Sequence, residues 1–343
     1  MTRRDDSRFN DIDSTFAKRV LFVAIVAVLG LLAWQLLDLF LLVFAATVVA
    51  VALKALARKL ERHLRMPPRW SIAASLLLII AALIGFGWII GDPLTEQLIR
   101  LRERIPNAVN AMVAWLNSHR GGILVLELWE TAKDTKVPWG RVAGIATGTI
   151  GALGGALLIL FMAIFMAVDP CLYHDGFVRL LPLSSRDRAA AALRAAGDGL
   201  SRWLLGQSIS MLFVGSATAL GLWLLDIPLA LSVGLVCGLL AFVPFFGAIA
   251  GGLLAVLLAF VEGPRTALYV LILFVGIQQI EGHVLIPLVQ KWAVELPPAL
   301  ALAATVAFAM VFGIPGALLA TPLMVVVMIL VRKLYVEDYL EQN

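Results

Sequence analysis

Uninterrupted apolar stretches recur along this chain, at 20–37, 39–57, 70–91, 141–168, 203–225, 229–260, 266–286 and 298–331. Most are near the roughly 20 residues with which a helix crosses a hydrocarbon core, and all exceed the short alternating segments of an outer-membrane barrel. Hydrocarbon offers backbone N–H and C=O groups no partner, so the spanning element must be a helix that satisfies them internally. A composition of 61% hydrophobic and 15% charged residues is more oil than a water-soluble fold hides. The expected fold is therefore all-α: a polytopic membrane protein of about eight transmembrane helices, with the lipid bilayer as its first partner.

Charge sets the expected topology. The net charge is +4, but Lys and Arg fall in short clusters between apolar runs, and no basic stripe is interleaved with stacking aromatics. Topology is thus the role for these charges, and no nucleic-acid partner is expected. Residues 1–19, with Arg3, Arg4, Arg8, Lys18 and Arg19, read as a cytoplasmic tail before a retained first span, because the apolar stretch continues past Val51 without a cleavage site. The first two runs, separated by Asp38, read as a helical hairpin with its tip outside. Eight crossings put nineteen Lys and Arg inside against eight outside, which places both termini in the cytoplasm.

The expected organisation follows. Residues 20–91 hold the first three spans, and 92–140 form an extracytoplasmic amphipathic helical segment in which Leu94, Leu98, Leu101 and Ile105 recur at helical spacing. The fourth span, 141–168, carries Gly144, Gly148, Gly151 and Gly155, a four-residue period that allows close helix packing in lipid. An interfacial cytoplasmic helix is expected in 169–202, then spans five to eight in 203–331 as the permease core, then a cytoplasmic tail at 332–343.

No catalytic constellation stands out. The four histidines are isolated, and Gly206-Gln207-Ser208-Ile209-Ser210 lacks the second glycine of a nucleophile elbow. Cys171 and Cys237 imply neither a disulfide framework nor a metal cluster, and no cofactor or metal is expected. The informative features are breaks and one acid. Pro244 with Gly247 interrupts the sixth run, and Gly313, Pro315 and Gly316 interrupt the last before Pro322. Proline removes a backbone donor and clashes with the preceding turn, so kinked or discontinuous late spans are expected, with freed polar groups that protein, water or a ligand must satisfy. Gln278, Gln279, Glu281 and His283 gather at the far end of the seventh run before Pro287. A carboxylate near hydrocarbon is costly and marks ion or proton routes. Glu281 is the first candidate for transport or ion coupling, although the span puts it about 22 Å along its axis, near the outer interface. Asp226 and Glu262, each just before a Pro or Gly-Pro, read as turn residues.

The string Asp226-Ile227-Pro228, Gly234, Gly238, Phe242 to Gly247, Gln279-Ile280-Glu281, Pro287, Leu296-Pro297, Phe312-Gly313, Gly316 and Ala320 to Leu323 resembles the autoinducer-2 exporter family of bacterial permeases. The likeness covers about 200–335. One departure is that Gly282 follows the glutamate where the family commonly has Asn. The resemblance implies an eight-helix permease of the bacterial inner membrane, homo-oligomeric, exporting a small signalling molecule or exchanging sodium for protons. The expected function is transport of a small solute or ion, with no enzymatic activity; the opposing reading is a non-transporting membrane scaffold built on 92–140 and the glycine seam.

Overall fold

The computed structural model describes residues 6–67, 70–81, 149–290 and 297–340, with positions 84, 107, 110, 112–115, 117 and 118. Nearly all of 92–140, together with Gly144 and Gly148, lies outside the described residues. Among the described residues every regular element is helical. Among the described residues four helices are long and apolar enough to cross a membrane, or five if one bent pair counts as a span.

Helix α1, Asp6–Leu64, runs for 59 residues without interruption. The hairpin expected at Asp38 does not form. A lone carboxylate between Leu37 and Leu39 removes no backbone donor, so the i to i−4 ladder carries across it. The parity count that placed both termini in the cytoplasm loses one crossing with it. Helix α2, Trp70–Ala81, starts after Pro67, whose carbonyl accepts from the amides of Trp70 and Ser71. Helix α3, Thr149–Val168, and α4, Pro170–Arg179, meet at an angle of 86°. Asp169 makes that corner by accepting from the Leu172 amide at 3.3 Å, and Pro170 supplies the preset φ of a first helical residue.

Helix α5, Arg186–Leu224, joins what the sequence divided at 202/203: its polar first half and apolar second half are one continuous helix. A single stripe explains this. Ala189, Ala192, Ala196, Gly199, Trp203, Gly206 and Ser210 are buried at three- and four-residue spacing through both halves. The turn after α5 uses left-handed backbone at Asp226 (φ 54°) and Leu229 (φ 68°), confirming Asp226 as a turn residue.

The sixth apolar run does not cross as one kinked span. It divides into α6, Ala230–Leu240, and α7, Phe246–Ala259, and the chain doubles back between them. Two contacts show the reversal. A Cβ at Gly247 would overlap the Leu240 carbonyl, and one at Gly251 would lie 3.1 Å from the Cys237 Sγ, so partners pair symmetrically about Pro244. The tip is a γ-turn: the Phe246 amide donates to the Pro244 carbonyl at 2.8 Å, with Phe245 at φ 64° and ψ −53°. Each arm is shorter than the roughly 20 residues of a crossing. The pair is a re-entrant hairpin.

Helix α8, Pro264–Ile280, continues through a π-helical segment, Glu281–Leu285, into Ile286–Gln290. The last α-helix, α9, Pro298–Val331, runs into a π-helical segment, Arg332–Leu340, and is helical on both sides of Gly313, which stands at φ 66° and ψ −146°. It too doubles back. A Cβ at Gly316 would overlap the Phe308 carbonyl, eight residues away, whereas eight residues of straight helix span about 12 Å. By length and composition 298–337 passes as one span; the contact across Gly313 shows two antiparallel arms.

Packing joins these elements into three clusters. Val214, Val233, Ala255, Val270 and Phe274 join α5 to α8, while Phe44, Leu200, Trp203, Val325 and Ile329 join α1, α5 and α9. Ala46, Leu53, Ile72 and Ala163 join α1, α2 and α3. Helices α5 and α6 approach closely at glycines: a Cβ at Gly238 would lie 2.8 Å from the Met211 carbonyl and 3.0 Å from the Gly215 Cα. Dispersion between closely approaching backbones, which hydrocarbon does not weaken, holds such a pair. At Gly155, in the expected seam, an added Cβ meets nothing within 4 Å.

Candidate functional site

Re-entry at Pro244 decides where α8 lies. Because α6 and α7 enter and leave on one side, α8 runs back beside α5 with its C-terminal end toward the polar half of α5. Glu281, expected near the outer interface, stands instead about two turns into the apolar part of α5, at the level of Ser210. The Ser210 hydroxyl donates to Glu281 Oε1. The single-crossing assumption behind the expected depth is what fails.

These groups line a cavity of about 340 Å³, a size suited to a small solute. The hairpin tip forms one wall through Val243, Pro244 and Phe245, and Gln207 on α5 fixes that tip by donating from Nε2 to the Ala241 carbonyl at 2.6 Å. Trp203 supports the tip from below, packing edge-on to Phe242 with ring centroids 6.0 Å apart. The opposite wall comes from α9, where both Ala301 and Thr321 face the cavity. Twenty residues of straight helix would separate them by about 30 Å, so the reversal at Gly313 is what brings them together.

The lining is mostly apolar, and among the described residues it contains one charged side chain, Glu281, with no Lys, Arg or His beside it. Gln278 lies beside the carboxylate, and Thr321 Oγ1, on a residue only 3% exposed, has no hydrogen-bond partner among the described residues. An unmade hydrogen bond at a buried polar atom costs about 1–3 kcal/mol. The π-helical turn beginning at Glu281 adds to this picture, since such insertions widen the ladder locally and favour functional positions. Among the described residues no group of three His, Cys, Asp or Glu side chains gathers to hold a metal ion.

Of the residues singled out in the sequence, Glu281, Gln278, Pro244 and Gly247 line this one cavity. Gln279 and His283 are exposed on the other face of α8, where His283 Nδ1 lies 3.2 Å from the Gln279 carbonyl. Gly313, Pro315 and Gly316 shape the second reversal away from the cavity, and Pro287 and Pro322 flank it without lining it. Sequence reasoning missed Trp203, Gln207, Ser210 and Thr321 as site residues. Gln207 and Ser210, three apart within an apolar run, were the available signal, because two polar residues on one face of a spanning helix need a polar neighbour.

Apolar helices, re-entrant hairpins and a lone acid in an apolar cavity fit a membrane transport protein, a class in which discontinuous helices carry the binding site. Residues 21–335 match the family model described as AI-2E family transporter, and the chain belongs to that family. Its relatives include three that bear the name "Putative transport protein". YueF of Bacillus subtilis strain 168 is 26% identical, over 79% of this chain and 77% of its own length. YrrI of the same organism is 28% identical, over 69% and 71% respectively. MT0215 of Mycobacterium tuberculosis is 31% identical, over 64% of this chain and 56% of the relative.

Proposed function

We propose that this protein moves a small polar solute across the bacterial inner membrane through the cavity at Glu281, and that this carboxylate exchanges a proton or a cation as the solute passes. One observation carries the reading: a single acid, without a basic partner among the described residues, in a cavity walled on one side by a hairpin tip. A carboxylate held in apolar surroundings needs a proton or a cation to neutralise it, so occupancy of the site and charge at Glu281 are coupled. The basic stretches at 58–65 and 186–202 face the cytoplasm in this reading, and Glu281 opens toward that side.

The family name supports export of an autoinducer-type molecule as cargo, and the lone acid equally supports sodium/proton exchange. The two separate in proteoliposomes of the purified full chain. Antiport gives a sodium-dependent pH change inside the vesicles, whereas export of a neutral solute gives solute flux without one. In either case Glu281→Gln lowers flux about a hundredfold, the lower end of what a positioned proton-exchanging group contributes, while leaving the protein folded. Undiminished flux in that variant removes Glu281 from the mechanism, and wild-type vesicles inert to every solute and ion tested favour the scaffold reading.

A further inference from the structure

A second cavity, of about 430 Å³, lies between α1 and α5 and shares no lining residue with the first. Its position follows from where two helices change character. Helix α1 is apolar over 39–57 but for Lys54 and densely basic from Arg58 onward; α5 is polar to Arg202 and largely apolar beyond it. Arg58 Nη1 lies 3.5 Å from Asp198 Oδ1, which sets the two changes at one level. A shared change from apolar to charged residues is what the boundary between hydrocarbon and headgroups imposes on a spanning helix.

The mouth of this cavity holds Arg58, Lys59, Arg62 and Arg202 against one carboxylate, Asp198. The Arg58–Asp198 pair is about half exposed and consumes little of this charge. Among the described residues no carboxylate pairs with Lys59, Arg62 or Arg202. Below the mouth the walls turn apolar, with Leu56 of α1 facing Leu204 and Leu205 of α5. Basic residues that only orient a membrane protein project into water and need no hollow between helices. A hollow with a cationic mouth and an apolar floor matches a molecule that is anionic at one end and hydrocarbon at the other.

We propose that this cavity seats one anionic phospholipid, its phosphodiester held by Lys59, Arg62 and Arg202 and an acyl chain laid against Leu56, Leu204 and Leu205. A free phosphate would satisfy the cations and leave the apolar walls uncovered; a lipid satisfies both. Bound there, the lipid ties α1 to α5 at the point where their own ion pair is weak.

Native mass spectrometry of the purified full chain, titrated with phosphatidylglycerol or with phosphatidylcholine of the same chains, tests this. Phosphatidylglycerol is retained in preference to phosphatidylcholine. The double variant Arg62→Gln/Arg202→Gln lowers its affinity about thirtyfold, as expected for two charges at a membrane surface. Arg62→Lys/Arg202→Lys keeps most of it. Should the double variant fail to fold, Lys59→Gln, at an exposed position, serves with an expected loss of about fivefold. Equal retention of the two lipids, or wild-type affinity in the charge-removing variants, overturns the proposal. Displacement of phosphatidylglycerol by millimolar inorganic phosphate also overturns it, and shows a site for soluble anions.

Discussion

The two re-entrant hairpins reverse the chain in the same way and use the reversal differently. The first, α6–α7, turns at Pro244 and Phe245 and puts its tip into the wall of the cavity. The second, the two arms of α9, turns at Gly313, and the arms rather than the tip line the cavity, through Ala301 and Thr321. Their directions also differ. The first tip reaches Trp203 on α5, whereas the second hairpin passes Leu200 and Trp203 with its closing arm and carries Gly313 toward the far end of α5. Two hairpins entering from opposite ends thus meet at the depth of Ser210 and Glu281. The strain differs in kind as well. Gly313 suffers no Cβ clash at φ 66°, while Phe245 holds a strained γ-turn at the site itself, where backbone strain tends to be kept for function.

The largest effect that could break this comparison comes from Gly247→Ala. The new methyl meets the Leu240 carbonyl in the backbone of the opposing arm, which no side-chain rotation relieves. Destabilisation of about 3 kcal/mol is expected, read as a lowered melting temperature in detergent micelles; a wild-type melting temperature would mean that the arms do not close on one another.

Gly313→Ala is milder. A Cβ there has open space around it, so only the left-handed backbone is penalised, at about 1–2 kcal/mol. Transport falls less than in a variant of the first tip, because this tip does not line the cavity. Equal loss of flux from Gly313→Ala and from Gly247→Ala, at matched folding, would erase the proposed difference between the hairpins.

The smallest change sharpens it. Thr321→Val removes a buried hydroxyl that has no partner and should raise stability by about 1 kcal/mol while reducing flux. Thr218→Val is the control. Thr218 is equally buried and unpartnered but faces no part of the cavity, so stability should rise with flux unchanged. Identical flux in both variants would show that Thr321 serves packing only.

Much of this was legible in the residues. Pro244, Gly247 and Gly313 announce breaks because they alter backbone options locally, and Asp226 before Pro228 announces a turn for the same reason. Glu281 announces itself by being an acid in a greasy stretch. A break, however, does not say through what angle the chain continues. A kink of 30° and a full reversal use the same Pro and Gly, and the choice lies in contacts such as Gly247 with Leu240 and Gly316 with Phe308. Asp38 shows the converse error, a polar interruption taken for a turn where the backbone had no reason to leave the helix.

The amino-acid sequence by itself determined that this protein is helical, lives in lipid, and carries a costly carboxylate, because transfer free energies and backbone hydrogen bonding depend on local composition. Only the tertiary structure decided that two apolar runs fold back, that α8 therefore presents Glu281 to Ser210, and that Ala301 and Thr321 share a wall. Those outcomes rest on glycine-sized contacts between segments far apart in the chain, and a periodicity read along one helix carries no information about what packs against it.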